Sequence, residues 1–394
     1  MAIAKKIKAT FAQSSLIRKM FDEGAILKKK HGAHKVYDFS LGNPNVEPPE
    51  EFKKELLNIA AHVMPNKHGY APNAGFPETR HAVAEKIKKT TGLNITFDHV
   101  IMSNGAAGAL NVIFKSILDP GDEVIVPVPY FVEYPFYIDN FGGIIKFVKT
   151  KHDFSLDVMA IGLAINSKTK AVLINTPNNP TGKVYSQQNI DELAALLEEK
   201  GRQLGKAIYL LSDEPYNEIV YDGVFVPNIL KSYKNSIIAY SYSKTLSLPG
   251  ERIGYIAVNP AIEDGADLLH AMTLCTRILG YVNAPALMQR IIAKLQYTKV
   301  DVEVYHKKRN LICDGLAGAG YQFEKPMGAF YLFPQSPIPD DVKFAEMLLT
   351  KNILVVPGSG FGSPGYFRIA FCVDDATIIN SLAGFAETIS ECQK

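Results

Sequence analysis

Residues 171–182 read AVLINTPNNPTG, an apolar run from Ala171 to Asn175 that breaks without a spacer into Thr176-Pro177-Asn178-Asn179-Pro180-Thr181-Gly182. A strand-forming run that ends on concentrated turn chemistry reads as a buried strand of a parallel sheet. Ligand sites in such sheets gather beyond the carboxyl ends of the strands. Outward from this stretch the pattern repeats. Val100 to Met102, Glu123 to Val126, Ile144 to Val148, Ile208 to Ser212, Ile237 to Tyr240 and Tyr255 to Val258 are short apolar or β-branched runs separated by helical segments. With 171–175 they predict seven buried strands. Gln187 to Arg202 carries Ile190, Leu193, Ala194, Leu196 and Leu197 at helical spacing, with Asp191, Glu192, Glu198 and Glu199 between them. That is an amphipathic helix lying on the sheet. The alternation predicts an α/β fold with a mainly parallel seven-stranded sheet between helices.

The segments just past the strands are unusually polar: Ser103-Asn104-Gly105-Ala106-Ala107 after the first, Asp213-Glu214-Pro215-Tyr216 after the fifth and Ser241-Tyr242-Ser243-Lys244 after the sixth. Both ends of the chain fall outside the alternation, and the C-terminal part has a long helical pattern followed by short strands near Ala329 to Phe333 and Ile353 to Val356. The expected division is an N-terminal segment over 1–45, a large domain over 46–290 and a small domain over 291–394. The first and last of these join as one smaller α+β domain.

The 394 residues exceed one small domain, and 47% apolar with 21% charged residues is an ordinary globular composition. Forty-two Lys plus Arg against 40 Asp plus Glu leave a formal charge of +2. No field of that size implies nucleic acid or an anionic membrane as a partner, so the expected ligand is small. Cys275, Cys313, Cys372 and Cys392 stand far apart without a CxxC pair, and His31 and His34 are too isolated to argue a metal site. Neither a disulfide framework nor a metal is expected, and reduced thiols fit a cytoplasmic location. No apolar run approaches the roughly 18 residues that would span a bilayer.

Taken in order, Tyr70-Ala71-Pro72-Asn73-Ala74-Gly75, the Asn175 to Gly182 run, Ser212-Asp213-Glu214-Pro215-Tyr216, Ser241-Tyr242-Ser243-Lys244 with Arg252 eight residues on, and Phe367-Arg368 carry a family resemblance. The chain resembles the fold-type I pyridoxal-phosphate enzymes, in particular the class I and II aminotransferases and their aspartate aminotransferase branch. The resemblance covers nearly the whole chain. It implies pyridoxal 5′-phosphate as cofactor, an amino acid and a 2-oxo acid as substrates, and a homodimer.

By that resemblance Lys244 forms the Schiff base with the cofactor aldehyde and carries the migrating proton. A lysine must shed its charge to do so, and a nearby cation such as Arg252 favours the neutral amine. Read alone, Lys244 is one surface lysine among many. Asp213 is implied to face the pyridine nitrogen and keep the ring an electron sink; read alone it is a cap after a strand. Tyr216 and Asn179 are implied to hydrogen-bond the cofactor's phenolate oxygen. Asn179 is otherwise a turn residue, and its bond to Pro180 is a candidate for the cis form.

A phosphate needs free N–H groups and fixed cations, and Gly105-Ala106-Ala107 opening a helix offers the former. The resemblance adds Ser241, Ser243, Arg252 and a Tyr70 contributed from the neighbouring subunit. The plainer readings are a helix cap for Gly105, turn hydroxyls for the serines and an ion pair with Glu251 for Arg252. Phe131 is implied to stack on the cofactor ring and is otherwise core. Arg368 is implied to grip the substrate α-carboxylate by a planar fork, with Gly42 and Asn43 in the loop that closes over it. Without the family, Arg368 sits in an unremarked edge strand.

The implied reaction moves the amino group of an L-amino acid, aspartate first, to a 2-oxo acid, 2-oxoglutarate first, with ping-pong kinetics. Ala107 stands where some members of the branch carry a lysine for the distal carboxylate, so Arg18 and Arg277 are candidate replacements. The alternatives are an aminotransferase for aromatic or small neutral amino acids, or a pyridoxal-phosphate carbon-sulfur lyase. Gly358-x-Gly360-x-Gly362 does not satisfy the dinucleotide fingerprint and reads as a turn.

Overall fold

The computed structural model describes residues 3–10, 23–30 and 32–393. Its strands in chain order are β1 (Tyr37–Asp38), β2 (Val100–Ser103), β3 (Glu123–Val128), β4 (Ile144–Lys149), β5 (Thr169–Asn175), β6 (Tyr209–Glu214), β7 (Ser236–Ser241), β8 (Gly254–Val258), β9 (Tyr331–Leu332), β10 (Ile353–Leu354), β11 (Val356–Pro357) and β12 (Phe367–Ala370). Seven of them form one sheet in the order β2-β8-β7-β6-β5-β3-β4. The pairs from β4 across to β7 are parallel, and β8 runs antiparallel to both β7 and β2. The expected α/β fold with a mainly parallel seven-stranded sheet is therefore the observed one.

Side chains alternate between the two faces of a strand, and here both faces are apolar. Ala171, Leu173, Leu211, Ile237, Ala239, Ile256 and Val258 pack against Ala109, Leu110, Ile113 and Phe114 of the helix Gly105–Ile117. The intervening residues Val172, Ile174, Leu210 and Ile238 meet Ile190, Leu193, Ala194 and Leu197 of the helix Gln187–Leu204. That helix starts where the Ser186 hydroxyl accepts from the Asn189 amide and stops at Gly205, which takes φ +66°. One strand departs from expectation. β4, at one edge of the sheet, is mostly exposed rather than buried, with Ile144, Lys146 and Phe147 open to solvent, whereas β2 at the other edge is buried throughout.

A separate core gathers Phe39 with Tyr305, Ile312, Leu316, Phe330, Phe344, Ile353, Phe367 and Phe385. Around it β11, β12 and β9 make an antiparallel sheet, and β1 pairs in parallel with β10. Residues near both chain ends thus share one apolar cluster. Tyr216, Ile219 and Tyr221, just beyond β6, also belong to it. Among the described residues no helix is long and apolar enough to cross a membrane.

Candidate active site

Register brings the polar residues together. Asn175 pairs opposite Asp213, and Asp213 opposite Ala239, so the ends of β5, β6 and β7 open on the same side of the sheet. A cavity of about 340 Å³ lies there. Its lining includes Gly42, Ala106, Ala107, Phe131, Asn179, Asp213, Tyr216, Ser241, Ser243, Lys244, Arg252 and Arg368, twelve of the residues singled out from sequence. Gly105 adjoins it through Arg252. Asn43 is exposed and outside the lining, as are Arg277 and Tyr70, the last with 89% of its surface open. Arg18 lies outside the described residues.

Lys244 follows β7 on the short helix Tyr242–Thr245, whose first turn is capped by the Ser241 hydroxyl accepting from the Ser243 amide at 3.2 Å. Its Nζ donates to the Gly42 carbonyl at 2.8 Å. Burial, with Arg252 and Arg368 nearby and the Cys372 thiol opposing them, brings this ammonium down to about 8. A usable fraction of neutral amine therefore exists near neutrality. The cation invoked from sequence contributes, and desolvation contributes more.

Asp213 is buried at the end of β6, where Tyr134 Oη donates to its Oδ2 at 2.6 Å. Its Oδ1 is buried with no hydrogen-bond partner among the described residues, and burial pushes the carboxyl up to about 7 against the Tyr134 bond. A buried acceptor left unpaired is costly, so this atom is suited to a donor, above all a cationic N–H, entering the cavity. Asn175 Nδ2 donates to the Asp213 carbonyl at 2.8 Å, while its Oδ1 accepts from the Asn179 amide at 2.7 Å. One side chain thus fixes both neighbours. The Asn179-Pro180 bond is cis, as are Val128-Pro129 and Thr176-Pro177.

Beside the cavity Gly105 takes φ +76°, and a Cβ there would come within 2.9 Å of Arg252 Nη2 and 3.5 Å of Ser241 Oγ. Only glycine lets that guanidinium lie against the first turn of the helix. Arg252 donates to the Pro249 carbonyl at 2.8 Å and the Asn104 carbonyl at 3.3 Å. A guanidinium, two hydroxyls and the N–H groups of a 13-residue helix form a site for an anionic tail.

Arg368 on β12 is buried. Its Nη1 donates to Asn179 Oδ1 at 3.0 Å and its Nη2 to the Ser40 carbonyl at 2.6 Å, while Nε has no partner among the described residues. The guanidinium lies 4.8 Å from the ring centroids of both Tyr331 and Phe361. A buried guanidinium with a donor to spare favours a carboxylate. Phe131 packs edge-on to Tyr134, with centroids 5.5 Å apart.

Sequence reading did not assign roles to Tyr134, Asn175, Tyr331 or Glu133, the last of which also lines the cavity. Asn175 was visible as an amide completing an apolar strand. The two tyrosines had no local signal. Gly358–Phe361 forms a 3₁₀ turn ended by Gly362, as its spacing suggested.

Residues 34–384 match the family described as aminotransferase class I and II. The aspartate/prephenate aminotransferase of Thermus thermophilus is 34% identical over 356 residues, which cover 89% of this chain and 90% of that protein. The aspartate aminotransferase of Thermotoga maritima is 31% identical over 363 residues, covering 91% and 92%. An amino transferase from Eubacterium rectale superposes with a TM-score of 0.97 at 38% identity over all of both chains. The Thermus thermophilus aspartate aminotransferase with maleate gives 0.88 at 29% identity, over 98% of this chain and all of that one. A cavity that joins a lysine whose ammonium is weakened by burial, a buried carboxylate with one oxygen unpartnered among the described residues, and two guanidinium groups is thus found in a chain that belongs to the class I and II aminotransferases and transfers amino groups.

Proposed function

We propose that the chain is a pyridoxal-phosphate aminotransferase whose amino donor is aspartate and whose acceptor is 2-oxoglutarate. The observation that carries the cofactor assignment is the set of charged groups gathered in one cavity. Asp213 Oδ1 has no partner among the described residues, Arg252 lies against Gly105 and Ser241, and Lys244 and Arg368 are also in the lining. When bound, the cofactor supplies an electron sink for the reacting carbon. Lys244 would hold its aldehyde and move the proton. Asp213 would hold the pyridinium proton. Tyr216 and Asn179 would hydrogen-bond the phenolate oxygen, and Phe131 would stack on the ring. Gly105, Ala106, Ala107, Ser241, Ser243 and Arg252 would bind the phosphate. Arg368, with Asn179 and Gly42, would orient the substrate carboxylate.

Aspartate is supported by relatives named aspartate/prephenate aminotransferase at 34% identity and aspartate aminotransferase at 31%. The homodimer is supported by Tyr70, 89% exposed in this chain and available to a second subunit's phosphate site. Leu57, Val63 and Tyr297 are exposed apolar residues that a partner would cover. The apolar cluster joining Phe39 to residues between 300 and 389 supports the division into 1–45, 46–290 and 291–394, with both ends forming the small domain. A cytoplasmic location is part of the same reading.

Half-reaction spectra of the purified holoenzyme test it. Aspartate and glutamate should each convert the visible absorption to that of the aminated cofactor, and alanine, phenylalanine and cysteine should do so much more slowly. Protein that stays colourless when given the cofactor refutes the cofactor. Faster conversion by one of the last three amino acids refutes the donor.

Glu133 makes a second expectation. Among the described residues the cations lining the cavity are Lys244, Arg252 and Arg368, whereas Glu133 is half-buried there and burial raises its carboxyl. Once ionised it repels a second substrate carboxylate. Replacing Glu133 with Gln should therefore raise kcat/KM for aspartate at pH 8 about five- to tenfold, the scale of like-charge repulsion in a partly hydrated cleft. The value for alanine should stay within about twofold on the same argument. Parallel steady-state assays on the two donors check this.

A further inference from the structure

We propose that Tyr331 is a positioning residue that, through the Tyr216 hydroxyl, sets the ionisation of the bound cofactor and ties it to the loop and arginine of the carboxylate site. The inference rests on the pyridoxal-phosphate reading and concerns a residue to which that reading gives no part.

Tyr331 opens β9, which pairs antiparallel with β12, the strand that carries Arg368; Ala370 is opposite Tyr331 and Ile369 opposite Leu332. The side chain is buried and lines the cavity. Four contacts converge on it. Its hydroxyl is 2.8 Å from the Tyr216 hydroxyl, and the two rings meet edge to face at 5.6 Å. The Arg368 guanidinium lies 4.8 Å from its ring centroid. A Cβ on Gly42 would stand 1.9 Å from its hydroxyl, so the 40–42 backbone lies directly on the phenol. That backbone also accepts from Lys244 at Gly42 and from Arg368 at Ser40.

Two hydroxyls facing each other can use only one proton between them. Burial pushes the Tyr331 phenol up to about 12 and the Tyr216 phenol well above its usual value, so both are protonated near neutrality. With Gly42 closing off space around it, Tyr331 has Tyr216 as its hydrogen-bond partner. When Tyr331 donates, the Tyr216 proton is free for an acceptor in the cavity. A donor that is itself hydrogen-bonded is a stronger donor. Tyr216 then stabilises a neighbouring phenolate better than it would alone. Besides Tyr216, the titratable and charged groups bearing on Tyr331 are Arg368 and Cys372. Arg368 is the one fixed charge among them, and it also favours an anion there.

The test is a pH titration of the visible absorption of holoenzyme in four proteins: wild type, Tyr331→Phe, Tyr216→Phe and the double variant. Phenylalanine keeps the ring against Arg368 and removes only the hydroxyl. Tyr331→Phe should raise the midpoint by about 0.5–1 pH unit, the worth of one hydrogen bond to the ionised form. Tyr216→Phe should raise it at least as far, and adding Tyr331→Phe to Tyr216→Phe should move it no further, because the path runs through Tyr216. An unchanged midpoint in Tyr331→Phe overturns the proposal, as does an equal shift in both backgrounds. A wild-type protein with no titrating visible band overturns the cofactor reading and the proposal together, so the two failures are distinguishable.

Discussion

Replacing Lys244 with Ala is expected to abolish amino-group transfer, with turnover reduced by at least about 10⁴-fold, the upper range for loss of a positioned acid-base group. The larger part of the loss comes from removing both the covalent anchor and the proton carrier at once. Folding should not be the cause. In the folded chain burial holds this ammonium near 8, below its ordinary 10.5. Between those values the unfolded chain binds the extra proton, so wild-type stability from this group rises with pH and is lowest below pH 8. Removing a buried charge therefore leaves the cofactor-free protein at least as stable at pH 7, which thermal unfolding checks. Borohydride should fix the cofactor to wild-type protein and leave the variant unlabelled. A variant that keeps wild-type turnover would end the assignment of Lys244.

The parts of this molecule that could be read from sequence are those whose signal is local. Ala171 to Asn175 is apolar at every core position because both faces of β5 are covered, and no distant information is needed to see it. The polar residues after β5, β6 and β7 stand out against such runs for the same reason. β4 misled because an edge strand is exposed only where no other element covers it, as β2 at the opposite edge is covered, and no property of Ile144 to Lys149 encodes that. Tyr134 and Tyr331 were invisible for a related reason. Their hydroxyls act on Asp213 and Tyr216 from 79 and 115 residues away, and a tyrosine before or within an apolar segment looks like packing. A cation for a distal carboxylate is equally a matter of tertiary placement. Arg277 sits exposed on the helix Gly265–Ile278, outside the cavity, and Glu133, which does line it, has the opposite charge.

Replacing Asp213 with Asn should lower kcat by about 10²–10⁴-fold, the equivalent of about 3–5 kcal/mol for breaking a buried charge pair. The amide keeps the shape and still accepts from Tyr134, and it cannot neutralise a protonated ring nitrogen. Without cofactor the same substitution should act in the opposite direction. Burial raises the Asp213 carboxyl from 3.8 to about 7, so between these values the folded chain binds a proton that the unfolded chain has released. The stability owed to this group is fully present below pH 3.8 and is lost as pH rises through 7. At pH 8 the folded protein carries an ionised carboxylate whose Oδ1 has no partner, a cost that the neutral amide avoids. Glu214 is raised to about 8 by burial and in part by the Asp213 charge, so the substitution also relieves Glu214 and moves the difference the same way. Melting temperatures of the two cofactor-free proteins should therefore diverge from pH 5 to pH 8 in favour of Asp213→Asn. Adding pyridoxal phosphate should reverse the order, because the wild-type carboxylate then meets its cation. If cofactor stabilises both proteins equally at pH 8, Asp213 does not face the ring nitrogen.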